Sequence, residues 1–269
     1  MALTANLYIE TALRSERTIL KKYFCNAPFK IADITEDKNQ NKLRIMLMSS
    51  SPGILDGDDF TLEIEVADGC CLELQTQSYQ RLFQMKRGAR QFFNVRMKPG
   101  SSFVYIPHPL VPHEKSIFLS KNKIMMDESC SLLWGEIMSC GRNLRGEIFQ
   151  FSSYQSTTEI FFGEKLVVKE NIWVNPAEID LKAIGQQEGF THQASLLFID
   201  KVKDIKNKAE SVIGLLQQQQ YVEFGVSSLP VNGMIVRLLG YKAEQLFDIL
   251  KNISCLLSQT KMKEGNYVC

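Results

Sequence analysis

Of the chain's 269 residues, 45% are hydrophobic and 23% charged, a balance that allows a packed core and excludes long disorder. A formal net charge of +1 supplies no field to recruit nucleic acid or an anionic membrane. The apolar runs are too short to span a bilayer, no secretory leader pattern is visible, and seven cysteines, with Cys70 and Cys71 adjacent, suit free thiols, so a cytoplasmic chain is expected.

In chain order, Leu7-Tyr8-Ile9 and Thr18-Ile19-Leu20 are short alternating pieces that end near Phe24, before Pro28. Leu43, Ile45 and Leu47 alternate with Arg44 and Met46, the period-2 pattern of a strand with one buried face. After a Pro-Gly turn and the corner Gly57-Asp58-Asp59, a second strand places Phe60, Leu62, Ile64 and Val66 on one face. Asp68-Gly69 turns the chain into Cys70, Leu72 and Leu74, which run on to Thr76-Gln77-Ser78. Phe93–Met97 and Phe103–Ile106 follow as strands on either side of Pro99-Gly100. Turn signals about every 10 residues argue for a sandwich, barrel or solenoid. No sequence repeat of solenoid length is present, so pattern alone does not choose among them.

Pro107, Pro109 and Pro112 make the next segment extended and bar it from a central strand, because proline donates nothing to a ladder. Further strands are expected at Ile117–Leu119, Leu132–Met138, Glu147–Phe151, Ile160–Phe162, Leu166–Lys169, Ile172–Val174, Ala194–Ile199 and Met234–Leu239. Helical spacing appears only late, first in Val202, Ile205, Ala209, Val212 and Leu216. It returns in the stripe Ala243, Leu246, Phe247, Leu250, Ile253 and Leu257, which predicts a helix over Lys242–Ser258. Residues 259–269 read as a flexible tail.

The chemistry is sparse. Sequence signatures for phosphate cradling, nucleophile elbows and paired zinc-binding histidines are missing, and His108, His113 and His192 sit in no catalytic setting, so no enzymatic activity is expected. His108 and His113 are weak candidates for a nickel or zinc site, since imidazole suits those ions, but their spacing in an extended chain points them apart. The carboxylates of Asp56, Asp58 and Asp59 either bond nearby backbone N–H groups in the Gly57-Asp58 turn, the simpler reading, or act as exchangeable ligands for a passing divalent ion. Arg142 and Glu147, around Gly146, form a turn-holding ion pair or a partner-facing position. Cys25, Cys70, Cys130, Cys140 and Cys255 read as small buried apolar residues, while Cys269 reads either as a metal ligand or, more simply, as part of a loose terminus. Charge is segregated: residues 45–80 carry seven acidic and no basic side chains, and residues 81–113 carry six basic and no acidic ones. Complementary neighbouring strands explain this more simply than an acidic groove does.

Several separated pieces resemble one family. Ser51-Pro52-Gly53-Ile54-Leu55-Asp56-Gly57-Asp58 resembles the PGG-x-x-GD corner of the urease accessory proteins called UreD or UreH, with Ile54 in place of a second glycine. Thr76-Gln77-Ser78 with Arg81 is similar to that family's T-T-Q-(A/S)…K segment. Pro107–His113 resembles P-x-P-L-x-P-F, with His108 where a carboxylate is frequent and His113 where Phe is usual. Gly141-Arg142…Gly146-Glu147-Ile148-Phe149 matches G-R-x-x-x-G-E-x-F, and Gly189–His192 and Val236-Arg237-Leu238-Leu239-Gly240 resemble its late motifs. In this order and spacing the pieces place the whole chain, 1–269, as one such domain of the UreH type.

The resemblance implies a mainly β fold, a β-helix-like stack of sheets with two α-helices toward the C-terminal part. It implies a non-enzymatic scaffold for nickel insertion that binds an F-type accessory protein, and through it a G-type GTPase, on apo-urease. It implies no cofactor of the chain's own, with nickel passing transiently. Asp56, Gly57, Asp58, Thr76, Gln77, Arg142, Gly146, Glu147 and Arg237 are the positions it marks for assembly or metal passage. Two other classes fit the composition: a β-rich protein-binding module unrelated to urease, and a β-scaffold glycosidase with carboxylates ~5–9 Å apart.

Overall fold

The computed structural model describes residues 2–37, 40–200 and 204–258. The period-2 segments form strands that wind between two facing sheets, and the winding explains why the turn signals are so evenly spaced. From β4 (Leu43–Ser49) the chain crosses to β5 (Asp59–Val66), returns as β6 (Cys71–Thr76), runs through the short β7 (Gln80–Leu82) and crosses again to β8 (Ala89–Met97). The next circuit is β9 (Ser102–Tyr105), β10 (Leu110–Pro112) and β11 (Ile117–Met126), followed by β12 (Ser131–Ser139) and β13 (Ser153–Phe162). Each strand lies parallel to its equivalent one circuit away: β5 to β8, β8 to β11 and β11 to β13 on one side, β4 to β6, β6 to β9 and β9 to β12 on the other. β7 and β10 pair in parallel along a third, narrow side. This is the β-helix-like, stacked-sheet architecture expected, with the crossovers made by the opposite sheet rather than by helices.

Antiparallel hairpins finish the stack at both ends. β1 (Thr4–Arg14) and β2 (Arg17–Cys25) extend the first sheet, and β3 (Phe29–Asp33) pairs with β4. β14 (Lys165–Val174) pairs with β13. β15 (His192–Ile199), β17 (Gly233–Gly240) and β16 (Val222–Ser228) extend the second sheet beyond β12.

The core lies between the sheets, where the alternating residues Leu7, Ile45, Leu62, Leu72, Phe93 and Ile124 are fully buried. At its centre Phe93 meets Tyr105 and Trp134 edge-on, with centroids 5.0 and 5.1 Å away. Such pairs contribute about 0.5–1.5 kcal/mol each beyond area burial. A second core sits outside the second sheet, where α1 (Ile205–Leu216) and α2 (Ala243–Ser258) cover β12, β15 and β17. Leu246, Leu250 and Ile253 on α2 pack there with Leu133, Ile137 and Val236. Gly135 lets the helix sit close, since a Cβ would lie 3.3 Å from a methyl of Leu250. Strand β12 is therefore covered on both faces, which is why it reads as the unbroken run Leu132-Leu133-Trp134.

Four expectations need correcting. Glu147–Phe151 is a loop, not a strand: Phe149 has φ 53° and its N–H closes back onto the Cys140 carbonyl at 2.7 Å. The proline-rich segment does enter a ladder, since Leu110 has strand neighbours on both sides, Gln80 and Met138. The prolines are placed to accept only, and the N–H groups come from Gln80 (to the Pro109 carbonyl, 3.1 Å) and His113 (to the Leu82 carbonyl, 2.9 Å). The two short strands predicted within 166–174 are one strand, β14, and Ile117–Leu119 is only the start of β11. Cys25 and Cys255 are half-buried, unlike Cys70, Cys130 and Cys140, which are buried as expected. Val202, Cys269 and the tail 259–269 lie outside the described residues. No helix among the described residues is long and apolar enough to cross a membrane.

Candidate functional site

Most of the motif residues stack along the narrow side of the winding. Ile54 bridges Leu82, Arg81 and Leu82 pair with Val111 and Pro112, and Leu110 pairs with Met138, so four successive circuits meet there. Close approach between the layers selects the glycines. A Cβ on Gly53 would strike the Arg81 carbonyl, and one on Gly141 would sit 2.9 Å from the Glu147 carbonyl and 3.0 Å from that of Pro112.

At the corner, Asp58 is 1% exposed and both carboxylate oxygens are taken by backbone. Leu3 N–H donates to Oδ1 at 2.9 Å and Leu55 N–H to Oδ2 at 2.8 Å. This carboxylate ties the first strand of the chain to the corner that begins the winding. Asp56 reaches up one circuit, where the N–H groups of Lys86, Arg87 and Gly88 donate to its Oδ1 at 3.0, 2.7 and 3.1 Å. Those bonds, led by that of Arg87, hold the Asp56 carboxyl below the usual carboxylate range. Gly57 has φ 85° and would meet the Arg87 guanidinium if it carried a Cβ, so both backbone shape and space require glycine.

Thr76 and His108 join the winding to the helical layer. Thr76 Oγ1 accepts the His108 N–H at 2.8 Å and lies 3.1 Å from its ring Nδ1. The imidazole stacks on Phe247 of α2 with centroids 4.5 Å apart, and burial pushes its pKa down. Gln77 is exposed; its N–H donates to the Leu47 carbonyl at 2.9 Å. His113 occupies a different setting: 7% exposed, edge-on to Phe83 at 4.9 Å, with Nε2 unpartnered. Burial, then the Arg142 charge, lowers its pKa. Among the described residues no three His, Cys, Asp or Glu side chains converge as a metal-binding set.

The loop after β12 is closed by Arg142 and Glu147. Arg142 Nε donates to Glu147 Oε2 at 2.8 Å and Nη2 donates to Oε1, while the Glu114 N–H adds a bond to Oε2 at 3.3 Å. The guanidinium bond is the chief reason the Glu147 carboxyl is held low. Between them Asn143–Arg145 forms one 3-10 turn, ended by Gly146 at φ 78°. Burial raises the adjacent Cys140 thiol to about 11, which makes it an unreactive core group.

Arg237 stands apart, gripping Glu170 across the two sheets through Nη2 at 2.8 and 3.0 Å. That pair lies at the wall of a cavity of about 420 Å³, where the sheets separate beside β14. Glu136 lines the cavity and is the acceptor of an interior network that the sequence reading missed. Asn122, Trp134 and Thr158 donate to Oε1 at 3.0, 3.0 and 2.8 Å, and Ser156 to Oε2 at 2.8 Å. The signal was present: Ser120, Asn122, Ser156 and Thr158 occupy buried-face positions of β11 and β13, and a lone glutamate interrupts the apolar run of β12. Gln187, also lining the cavity, has a buried Oε1 without a partner.

The structure thus gathers the marked residues in local groups: Asp56 with Arg87, Asp58 with Leu3 and Leu55, Thr76 with His108, and Arg142 with Glu147 beside His113. Comparison with known proteins gives one consistent answer. The family model described as UreD urease accessory protein matches residues 3–267. The urease accessory protein UreD of Flavobacterium johnsoniae is 46% identical over 248 residues, covering 92% of this chain and 90% of that protein. The UreD proteins of Acetivibrio thermocellus and Actinobacillus pleuropneumoniae serotype 3 are 34% and 35% identical, covering 94% and 98% of this chain and 97% and 99% of their own lengths.

Proposed function

The chain belongs to the UreD family of urease accessory proteins, and we propose that it is the scaffold on which nickel enters apo-urease. In this reading it serves urease maturation in the cytoplasm by binding an F-type accessory protein directly and a G-type GTPase through it, and by docking the assembly on apo-urease. The carrying observation is a family match running almost end to end, with relatives that the chain covers nearly whole.

The geometry supports a scaffold role for the marked residues. Asp58, Asp56 and Gly57 fix the register of the narrow side, and Arg142, Gly146 and Glu147 fix the loop at its far end. They act by holding a surface in shape, and no step of bond chemistry is assigned to them. Nickel is cargo here, not a resident cofactor. The Glu136 and Glu170 carboxylates on the cavity wall are taken by Asn122, Trp134, Ser156, Thr158 and Arg237, so they brace that wall, and no nickel ligand is assigned to them.

Assembly is tested by mixing the purified chain with the F-type protein, then with the G-type protein and apo-urease, and reading masses by light scattering after gel filtration. A stable binary complex that then captures both others is expected. A chain that elutes alone in the presence of the F-type protein contradicts the reading.

A further inference from the structure

The loop Gly141–Phe149 is built to hold an apolar side chain out in water. Leu144, at its tip, is 104% exposed, and Ile148 on its descending arm is 46% exposed. A loose loop would let such residues fold back, but this one is closed at its base. The Arg142–Glu147 clamp, the bond from Arg145 N–H to the Arg142 carbonyl at 2.8 Å, and that from Gly146 N–H to the Asn143 carbonyl at 2.9 Å lock the turn. Below it Gly141 is wedged against the Pro112 and Glu147 carbonyls. A single exposed leucine is ordinary on a protein surface; what sets Leu144 apart is the closed turn, which holds the side chain out already ordered and so lowers the cost of inserting it into a partner's pocket.

The surroundings say what kind of partner. Arg142 and Arg145 belong to the loop itself, and together with Arg81 they lie within electrostatic reach of His113 at its base. Arg81 also lies on the adjacent strand, paired with Val111. Of the nearby carboxylates, Glu147 is held by Arg142 and Glu114 by Lys115 at 2.9 Å. Arg81 and Arg145 have no carboxylate partner among the described residues.

We propose that Leu144 is a docking knob that enters an apolar pocket on a partner protein, with Arg81 and Arg145 meeting carboxylates on the rim of that pocket. The apolar centre supplies affinity and the arginine rim supplies orientation and rate. The proposal deepens the scaffold reading by naming a surface, and it is chosen so that the two can fail separately.

The test places the photoreactive residue p-benzoylphenylalanine at position 144, and at Ile184 as a control. Ile184 is 95% exposed in another loop. The chain is expressed with the urease subunits and both other accessory proteins. Position 144 is expected to give one protein adduct whose mapped peptide borders Asp or Glu residues. Arg81→Glu with Arg145→Glu should lower its yield ~10-fold or more. Leu144→Asp should weaken that partner's binding by a similar factor at an unchanged unfolding midpoint, since the side chain touches nothing. No adduct at 144, equal capture from 184, adducts only with lipid or a second copy of this chain, or indifference to charge reversal would overturn the knob. An adduct with an acid-rimmed protein outside the urease machinery would sustain it and count against the scaffold reading.

Discussion

Arg142 and Glu147 are five residues apart and clamp the 3-10 turn between them, with Nε and Nη2 of one meeting both carboxylate oxygens of the other. The Glu147 carboxyl is depressed in the folded state below its ordinary 4.5. The unfolded chain therefore takes the proton first on acidification. The stabilisation is full above about 4.5 and is lost as pH falls through the depressed folded value. Glu147→Gln should flatten this part of the acid-unfolding curve, followed by circular dichroism. An acid limb identical to wild type would contradict the clamp.

His113 carries the same sign at higher pH. Its folded pKa is pushed below 6.5, so the unfolded chain protonates first and stability falls as pH drops below 6.5. His113→Phe removes this titration, keeps the edge-on contact with Phe83, and relieves a buried nitrogen that has no partner. The expected result is a gain of about 1 kcal/mol at pH 7 and a shallower decline of the thermal midpoint between pH 7 and 5.5. The slope does not vanish, because burial depresses His108 and His192 as well. An unchanged slope would place His113 in water.

Asp58 separates a structural carboxylate from a metal-carrying one. Asp58→Ala strands the N–H groups of Leu3 and Leu55 and should cost about 1–3 kcal/mol. Asp58→Asn keeps one acceptor oxygen and should cost less. Chemical denaturation with both variants orders them, and a wild-type midpoint for Asp58→Ala would contradict the tie.

The segregated charges resolve into neighbouring parallel strands. Asp59 pairs with Arg90 at 2.7 Å and Glu65 with Arg96 at 3.5 Å, across the β5–β8 ladder. These pairs are largely solvated, so a double-mutant cycle on Asp59 and Arg90 should give a coupling of about 1 kcal/mol or less. A much larger coupling would mean that the pair is shielded from water.

What the chain announced and what it hid follow from the range of the interactions. Alternation in Phe60–Val66 and the stripe on Leu246, Leu250 and Ile253 are local, and both became the elements they predict. The charge blocks were legible because parallel neighbours in a winding repeat one circuit apart. Val222–Ser228 was missed although Val222, Phe224 and Val226 alternate with Glu223, Gly225 and Ser227; it is a short edge strand with a central glycine, set between the Gln217–Gln220 run and Pro230. Glu147–Phe151 misled because Phe149 and Phe151 pack against the stack from a loop, with Gly146 and Phe149 at positive φ. Glu136 and its four donors come from three strands, so no single window contained the network.

The central claim is that urease takes up nickel through this scaffold. The direct measurement is nickel per active site in urease purified from cells that express the urease operon at limiting nickel, with and without this chain. Urease that assembles but holds little nickel and little activity without the chain is the predicted result. Full nickel occupancy in its absence would contradict the account.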